Sequence, residues 1–416
     1  MAALLCAAAG AQAQDPPPVI REIVFRGNEV TRPVTMLREM PLRVGDPADP
    51  AAIERSRQGV QDLGLFRSVH ADLEPVEGGA RLVIKVKEKL YLLPFPRADA
   101  NSDGGYGYGV QLTWNNVWGL NHTFRPYFER RQPGEGDADP ETRGILTRSQ
   151  LRYTAPFVWG KFGMDATAGY LKTPYLTPLR YEQTATLLSL ALTRKFSDGQ
   201  TSQGWTGYAG LAWNNEDHSG PQVPTDPDEV ALGHSLALGA GAAYRNLHFN
   251  VYSDEGVTWG FGVQSATKDV ASEYDFTTWS GYYYRYFDVG DTPHQNLNLQ
   301  LDVQSRHDGR YGGDFYAVGG TSTARGFEPE TAKGDAIYVA SVEYLRPVFR
   351  NSIRLLAVID ATNAFVEPAD AHLDKVYVSA GLGVRIRFQA FVALDLEVGL
   401  AWPLNGGGPR LFASKV

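Results

Sequence analysis

The segment Val378-Ser379-Ala380-Gly381-Leu382-Gly383-Val384-Arg385-Ile386-Arg387-Phe388 carries the pattern that decides the fold. Apolar side chains and alanine stand at every second position, with Ser379, Gly381, Gly383, Arg385 and Arg387 between them. Successive side chains of a β-strand point to opposite faces, so this alternation gives one apolar and one polar face. The pattern recurs outward from there. Val392, Leu394, Leu396, Val398, Leu400 and Trp402 alternate with residues that include Asp395 and Glu397. Leu297, Leu299, Leu301 and Val303 alternate with Asn296, Asn298, Gln300, Asp302 and Gln304. Nearer the start, Tyr106, Tyr108, Val110, Leu112 and Trp114 alternate with Gly107, Gly109, Gln111 and Thr113.

A soluble β-sandwich also alternates, and it is the competing fold. Two features favour a transmembrane barrel. The polar face sets Arg385 and Arg387 beside Asp395 and Glu397, which suits an enclosed polar lumen, and the apolar face ends in Trp114, Trp118, Tyr338, Tyr344 and Trp402, as lipid-interface girdles do. About sixteen such segments fit between residues 104 and 416, each near the roughly ten residues that a tilted strand needs to cross a bilayer. Connections alternate between tight turns and long polar loops at 132–143, 214–229 and 311–334.

Composition agrees. Of 416 residues, 21 are tyrosine, 8 tryptophan and 44 glycine. After the N-terminus no apolar run approaches the roughly 18 residues of a membrane-spanning helix. The net charge of −8 argues against a nucleic-acid partner, which calls for a basic patch. Residues 1–13 read as a signal peptide, cleaved after Ala13. They hold the single cysteine, Cys6, so the mature chain is expected to lack disulfides and thiolate chemistry.

Residues 19–88 show a different texture, with the order β-α-α-β-β. A strand through Ile23 and Phe25 ends at Gly27-Asn28. Thr31 is expected to cap a short helix, and a second helix begins at Asp49-Pro50 and ends near Gly64. Two strands follow, at 69–73 and 81–86. Residues 89–103 read as a linker to a barrel that begins at 104.

The stretch Gly319-Gly320-Thr321-Ser322-Thr323-Ala324-Arg325-Gly326-Phe327 lies between the eleventh and twelfth expected strands. It resembles the signature loop of the BamA/TamA outer-membrane assembly superfamily. Two further segments are similar to that family's motifs, Val342-Glu343-Tyr344-Leu345-Arg346-Pro347 and Ile359-Asp360-Ala361-Thr362-Asn363-Ala364-Phe365. Thr362 departs from the glycine usual there, and the chain ends in valine rather than an aromatic residue. Residues 19–88 resemble a single polypeptide-transport-associated (POTRA) domain, carried by Gly27, Asn28, Gly45, Phe66 and Val69.

Alternation along 352–360 places Asp360 on the polar face with Arg354, within reach of Arg325, and Asp395 and Glu397 are competing lumen partners. The strands at 104–114 and 410–416 are expected to flank a weak seam, with Gly104, Gly105, Gly107 and Gly109 on one side and Phe412 on the other. No metalloprotease or serine-hydrolase motif occurs, and the acidic loops 135–141 and 226–229 lack ligand spacing. No enzyme activity, metal or cofactor is expected. The resemblance implies a factor that inserts or translocates proteins at the bacterial outer membrane, with its POTRA domain in the periplasm. Its expected partners are an unfolded outer-membrane or secreted client, outer-membrane lipid and an accessory periplasmic protein or lipoprotein. A passive porin-like or structural barrel, or a secretion pore dedicated to one partner, are the alternatives.

Overall fold

Short polar breaks and two proline-led helices shape the N-terminal unit of the computed structural model. The structure describes residues 17–100, 106–132, 144–177, 179–197, 200–223, 233–307, 316–321, 323–372 and 375–415. The expected signal peptide, Gly104 and Gly105 lie outside the described residues. The unit comprises β1 (Ile20–Arg26), α1 (Pro33–Leu37), α2 (Pro50–Gln61), β2 (Phe66–Val76) and β3 (Gly79–Glu88). Its sheet runs β1-β3-β2, with β1 parallel and β2 antiparallel to β3. Asp49 caps α2 by accepting the Ala52 N–H at 2.9 Å, ahead of Pro50 in the first turn. Thr31 does not cap α1. Arg32 holds the N-cap position one residue later, and the Thr31 hydroxyl donates to the Glu88 carboxylate at 2.6 Å while accepting from the Asn116 amide at 2.8 Å. Ile20, Met36, Met40, Phe66, Val69 and Ile84 form the core between sheet and helices. Gly27 adopts φ +84°, and a Cβ there would strike the Val86 carbonyl. Gly45 also has a positive φ, and the Asn28 amide donates to the Thr31 carbonyl.

The rest of the chain forms one antiparallel sheet of sixteen strands. These are β4 (Leu92–Ala100), β5 (Tyr106–Val117), β6 (His122–Gln132), β7 (Leu146–Trp159), β8 (Phe162–Tyr175), β9 (Tyr181–Lys195), β10 (Gly204–Ser219), β11 (Gly233–Phe249), β12 (Asp254–Ala266), β13 (Phe276–Asp288) and β14 (Asn296–His307). After a small hairpin of β15 (Tyr316–Val318) and β16 (Ala332–Gly334), the sheet resumes with β17 (Ala336–Phe349), β18 (Ile353–Phe365), β19 (Tyr377–Arg387), β20 (Asp395–Pro403) and β21 (Arg410–Lys415). Neighbours in sequence pair throughout, and β14 pairs with β17 across the inserted hairpin.

Burial is inverted relative to a soluble protein. Leu238, Phe261, Leu355, Ile359 and Leu382 are exposed on the outer wall, whereas Asn298, Glu343, Arg354, Asp360, Arg385 and Glu397 are buried inside. Apolar-out and polar-in alternation is the arrangement a bilayer demands.

Two expectations need correction. Residues 89–103 are not a linker, because β4 occupies most of the segment and pairs with β5 along its whole length. The first strand of the sheet is therefore β4, and Gly107 and Gly109 lie in the second strand. In addition, β10 extends to Ser219, so the loop expected from 214 begins later.

The N-terminal domain sits against the short-turn end of the barrel. Gly119, in the β5–β6 turn, accepts from the Arg32 N–H at 3.0 Å and the Thr35 hydroxyl at 2.7 Å. Glu39 accepts from the Thr201 hydroxyl at 2.8 Å and the Ser202 N–H at 2.9 Å. Asp62, at the end of α2, accepts the Phe249 N–H at 2.9 Å and lies 2.9 Å from His248 Nδ1.

Candidate functional site: the arginine loop and the seam

The loop between β14 and β17 folds into the lumen and is built to present Arg325. Thr323 closes it locally, accepting the Gly319 N–H at 2.8 Å and donating to the Gly319 carbonyl at 2.9 Å. Val318, Ala324, Phe327 and Ile337 form a small buried cluster, with Phe327 edge-on to Tyr377 at 5.3 Å. Gly326 lies directly on the wall. A Cβ there would come within 2.6 Å of Ser379 Cβ and 3.0 Å of the β20 backbone. Only glycine permits that approach, and its N–H donates to the Ser379 hydroxyl at 3.3 Å.

So placed, Arg325 reaches three carboxylates on three strands. Nη1 donates to Asp360 at 2.7 Å, Nη2 to Glu343 at 2.6 Å and Nε to Glu397 at 3.1 Å. The Arg325 N–H adds a bond to the second Asp360 oxygen at 3.1 Å. Ser341 donates to Asp360 at 2.8 Å. Arg385, opposite Glu397 across the β19–β20 ladder, donates to it through Nε at 2.9 Å and to Glu343 through Nη2 at 2.8 Å. Two arginines thus share three buried acids. The rigid fork of a guanidinium suits such multidentate pairing, and the low-polarity surroundings strengthen each bond.

The structure brings Arg325, Asp360 and Glu397 together. It places Asp395 elsewhere: Asp395 accepts from Arg387 through Nε at 2.9 Å, and Arg387 also reaches Asp254 at 3.1 Å. Glu343 and Arg385 join the site without having been singled out as partners of the loop. Glu343 lies within the motif quoted above, and Arg385 shares its polar face with Arg387. Thr362, in place of the usual glycine, is fully buried and donates to the Tyr338 carbonyl.

The loop also contacts the last strand. The Arg325 guanidinium lies 5.7 Å from the Phe412 ring, within cation–π range, and Arg410 pairs with Glu328 at 2.6 Å. Phe412 points inward and is 2% exposed. It faces Gly399 in the β20–β21 register, where a Cβ would come within 2.5 Å of the ring.

β21 and β4 are the two ends of the sheet, and among the described residues no ladder joins them. The Lys415 ammonium sits 5.6 Å over the Phe95 ring. Pro94 and Pro96 stand two apart in β4, so both missing N–H groups belong to one edge. Proline is tolerated in strands where that edge is unpaired. Just ahead of β4, the Leu90 N–H donates to the Ala390 carbonyl in the β19–β20 turn at 2.7 Å.

Comparison with known proteins gives this geometry its family. A POTRA model, described as surface antigen variable number repeat, matches residues 18–89. The Omp85 superfamily domain matches residues 142–406. The chain is 40% identical over 70 residues to the outer membrane protein assembly factor BamA of Nitratidesulfovibrio vulgaris, covering 17% of this chain and 9% of that protein. It is 31% identical over 106 residues to BamA of Neorickettsia risticii, covering 25% and 14% respectively. Among solved structures it is similar to CdiB from Escherichia coli (TM-score 0.63, 13% identity, 95% of this chain and 75% of that one). It is also similar to BamA from Haemophilus ducreyi lacking POTRA domains 1–3 (TM-score 0.52, 16% identity, 96% and 83%). The chain belongs to the Omp85 superfamily, as an outer-membrane β-barrel carrying a periplasmic POTRA domain.

Proposed function

We propose that this chain inserts or translocates proteins at the outer membrane, its POTRA domain receiving an unfolded client and the β4–β21 seam passing it on. The observation that carries this reading is the unladdered seam, with two N–H donors removed from one edge of β4 by Pro94 and Pro96. A free strand edge offers main-chain hydrogen bonds with little sequence demand, so the β21 edge suits a client strand. The outer edges of β1 and β2 offer the same to an extended segment in the periplasm. The clients are outer-membrane or secreted proteins, met beside outer-membrane lipid and helped by an accessory periplasmic protein or lipoprotein. That the matching BamA relatives are named assembly factors supports this reading.

A Phe95→Cys, Lys415→Cys pair tests it. Oxidation is expected to abolish client insertion into lipid vesicles, and reduction to restore it. Insertion that survives locking, together with ion conductance, would identify a passive pore instead.

A further inference from the structure

We infer that the outer wall of the barrel holds a slot for the acyl chain of an outer-leaflet lipid, at the long-loop end and beneath residues 366–371. The inference rests on the outer-membrane assignment and not on the insertion activity. A cavity of about 940 Å³ opens there, within the roughly 300–1,000 Å³ typical of ligand sites.

The register explains its shape. Phe261, Gly281, Val303 and Tyr338 form one cross-strand row on the outer face, and Trp279, Ser305, Ala336 and Phe365 form the next. Gly281, Ser305 and Ala336 are small, so a trough runs between the aromatic walls of Phe261 and Trp279 on one side and Tyr338 and Phe365 on the other. After β18 the chain returns over this trough, with Val366, Glu367, Ala369 and Ala371 lining it. Phe365 and Ala336 are buried beneath, although they belong to the outer face.

Two observations select the occupant. The slot is continuous with an exposed apolar band that includes Phe261, Trp279 and Val303, which in an outer-membrane barrel is the lipid-facing surface. Its polarity is graded along the strands. The Phe261 row is the deeper one, and His307 and Glu367 stand at the long-loop end. An apolar depth with a polar mouth fits an amphiphile whose chain enters from the bilayer and whose headgroup stays at the surface.

The test uses the full chain in phosphatidylcholine vesicles with a minor fraction of lipid brominated on its acyl chains. Quenching assigned to Trp279, by difference from Trp279→Phe, is expected to exceed that of a randomly mixed annulus. Ser305→Phe fills the trough and should return quenching to the random level. In native mass spectra of the detergent-extracted barrel, it should also lose the retained-lipid peak. Heat-modifiable gel migration reports folding. If Ser305→Phe fails to fold, Gly281→Leu replaces it, its Cβ meeting only the Val303 methyl at 3.2 Å within this slot. Quenching at the random level in the unmodified chain, or a retained lipid unchanged by the filled trough, would overturn the proposal. So would a second copy of the chain in place of lipid.

Discussion

Arg325 joins Asp360 on β18 and the Phe412 ring on β21, at 2.7 Å and 5.7 Å, so a single side chain links the lumen loop to the wall and to the last strand at the seam. Phe412 can occupy that place because Gly399 opposite it has no side chain. An aromatic ring covering a cross-strand glycine is a recurrent means of pinning register. The loop therefore bears on the strand that the proposed function requires to be held and released.

Arg325→Ala leaves three buried acids with only Arg385 between them, and Asp360 loses its only cation among the described residues. Removing one partner of a buried ion network costs about 3–5 kcal/mol. Urea unfolding of the barrel should shift by that order, and the loop should become sensitive to protease. Arg325→Lys should recover little, because one ammonium cannot span three strands.

Asp360 and Asp395 should separate cleanly. Asp360→Asn weakens the two bonds to Arg325 and should expose the loop to protease, whereas Asp395→Asn loosens Arg387 and should leave loop protection unchanged. Equal protease sensitivity in the two variants would contradict the assignment of Asp360 as the loop's anchor.

Pro94→Ala with Pro96→Ala restores two N–H donors to the edge of β4. Each hydrogen bond gained across the seam is worth about 0.5–1.5 kcal/mol. Client insertion should slow, and amide exchange in β4 and β21 should slow with it. Unchanged insertion would show that the proline edge does not control opening.

Glu39, outside the membrane, predicts a pH dependence. Burial against the β9–β10 turn raises its carboxyl pKa above the ordinary 4.5, outweighing the bonds from Ser202 and Thr201. The docked state thus holds its proton more tightly than the undocked state. Docking through Glu39 should be fully favoured below pH 4.5 and weaken as pH rises through the elevated value. Energy transfer between dyes on the POTRA domain and on the 250–253 turn reports it. Glu39→Gln should flatten the profile.

Much of this was legible in the sequence, for physical reasons. Period-two alternation sorts residues by face, which placed Asp360 and Glu397 in the lumen with Arg325. It does not give height along the strand. Asp395 and Glu397 share a face but lie two residues apart, roughly 6.6 Å of rise, and Arg387 is the residue directly opposite Asp395. The part played by Glu343 and Arg385 depends on which strands curve round to meet, and no local pattern encodes that. β4, within the expected linker, carries no clear period-two signal, and its Pro94 and Pro96 argue against a strand interior. Those prolines mark an edge strand, and at a seam the edge is where function is proposed to lie.

Amide hydrogen exchange of residues 410–415, compared between the unmodified barrel and Arg325→Ala in the same vesicles, tests the latch most directly. Faster exchange in β21, with β8 and β9 unchanged, is the result expected if Arg325 holds the last strand. Equal exchange in the two proteins would contradict it.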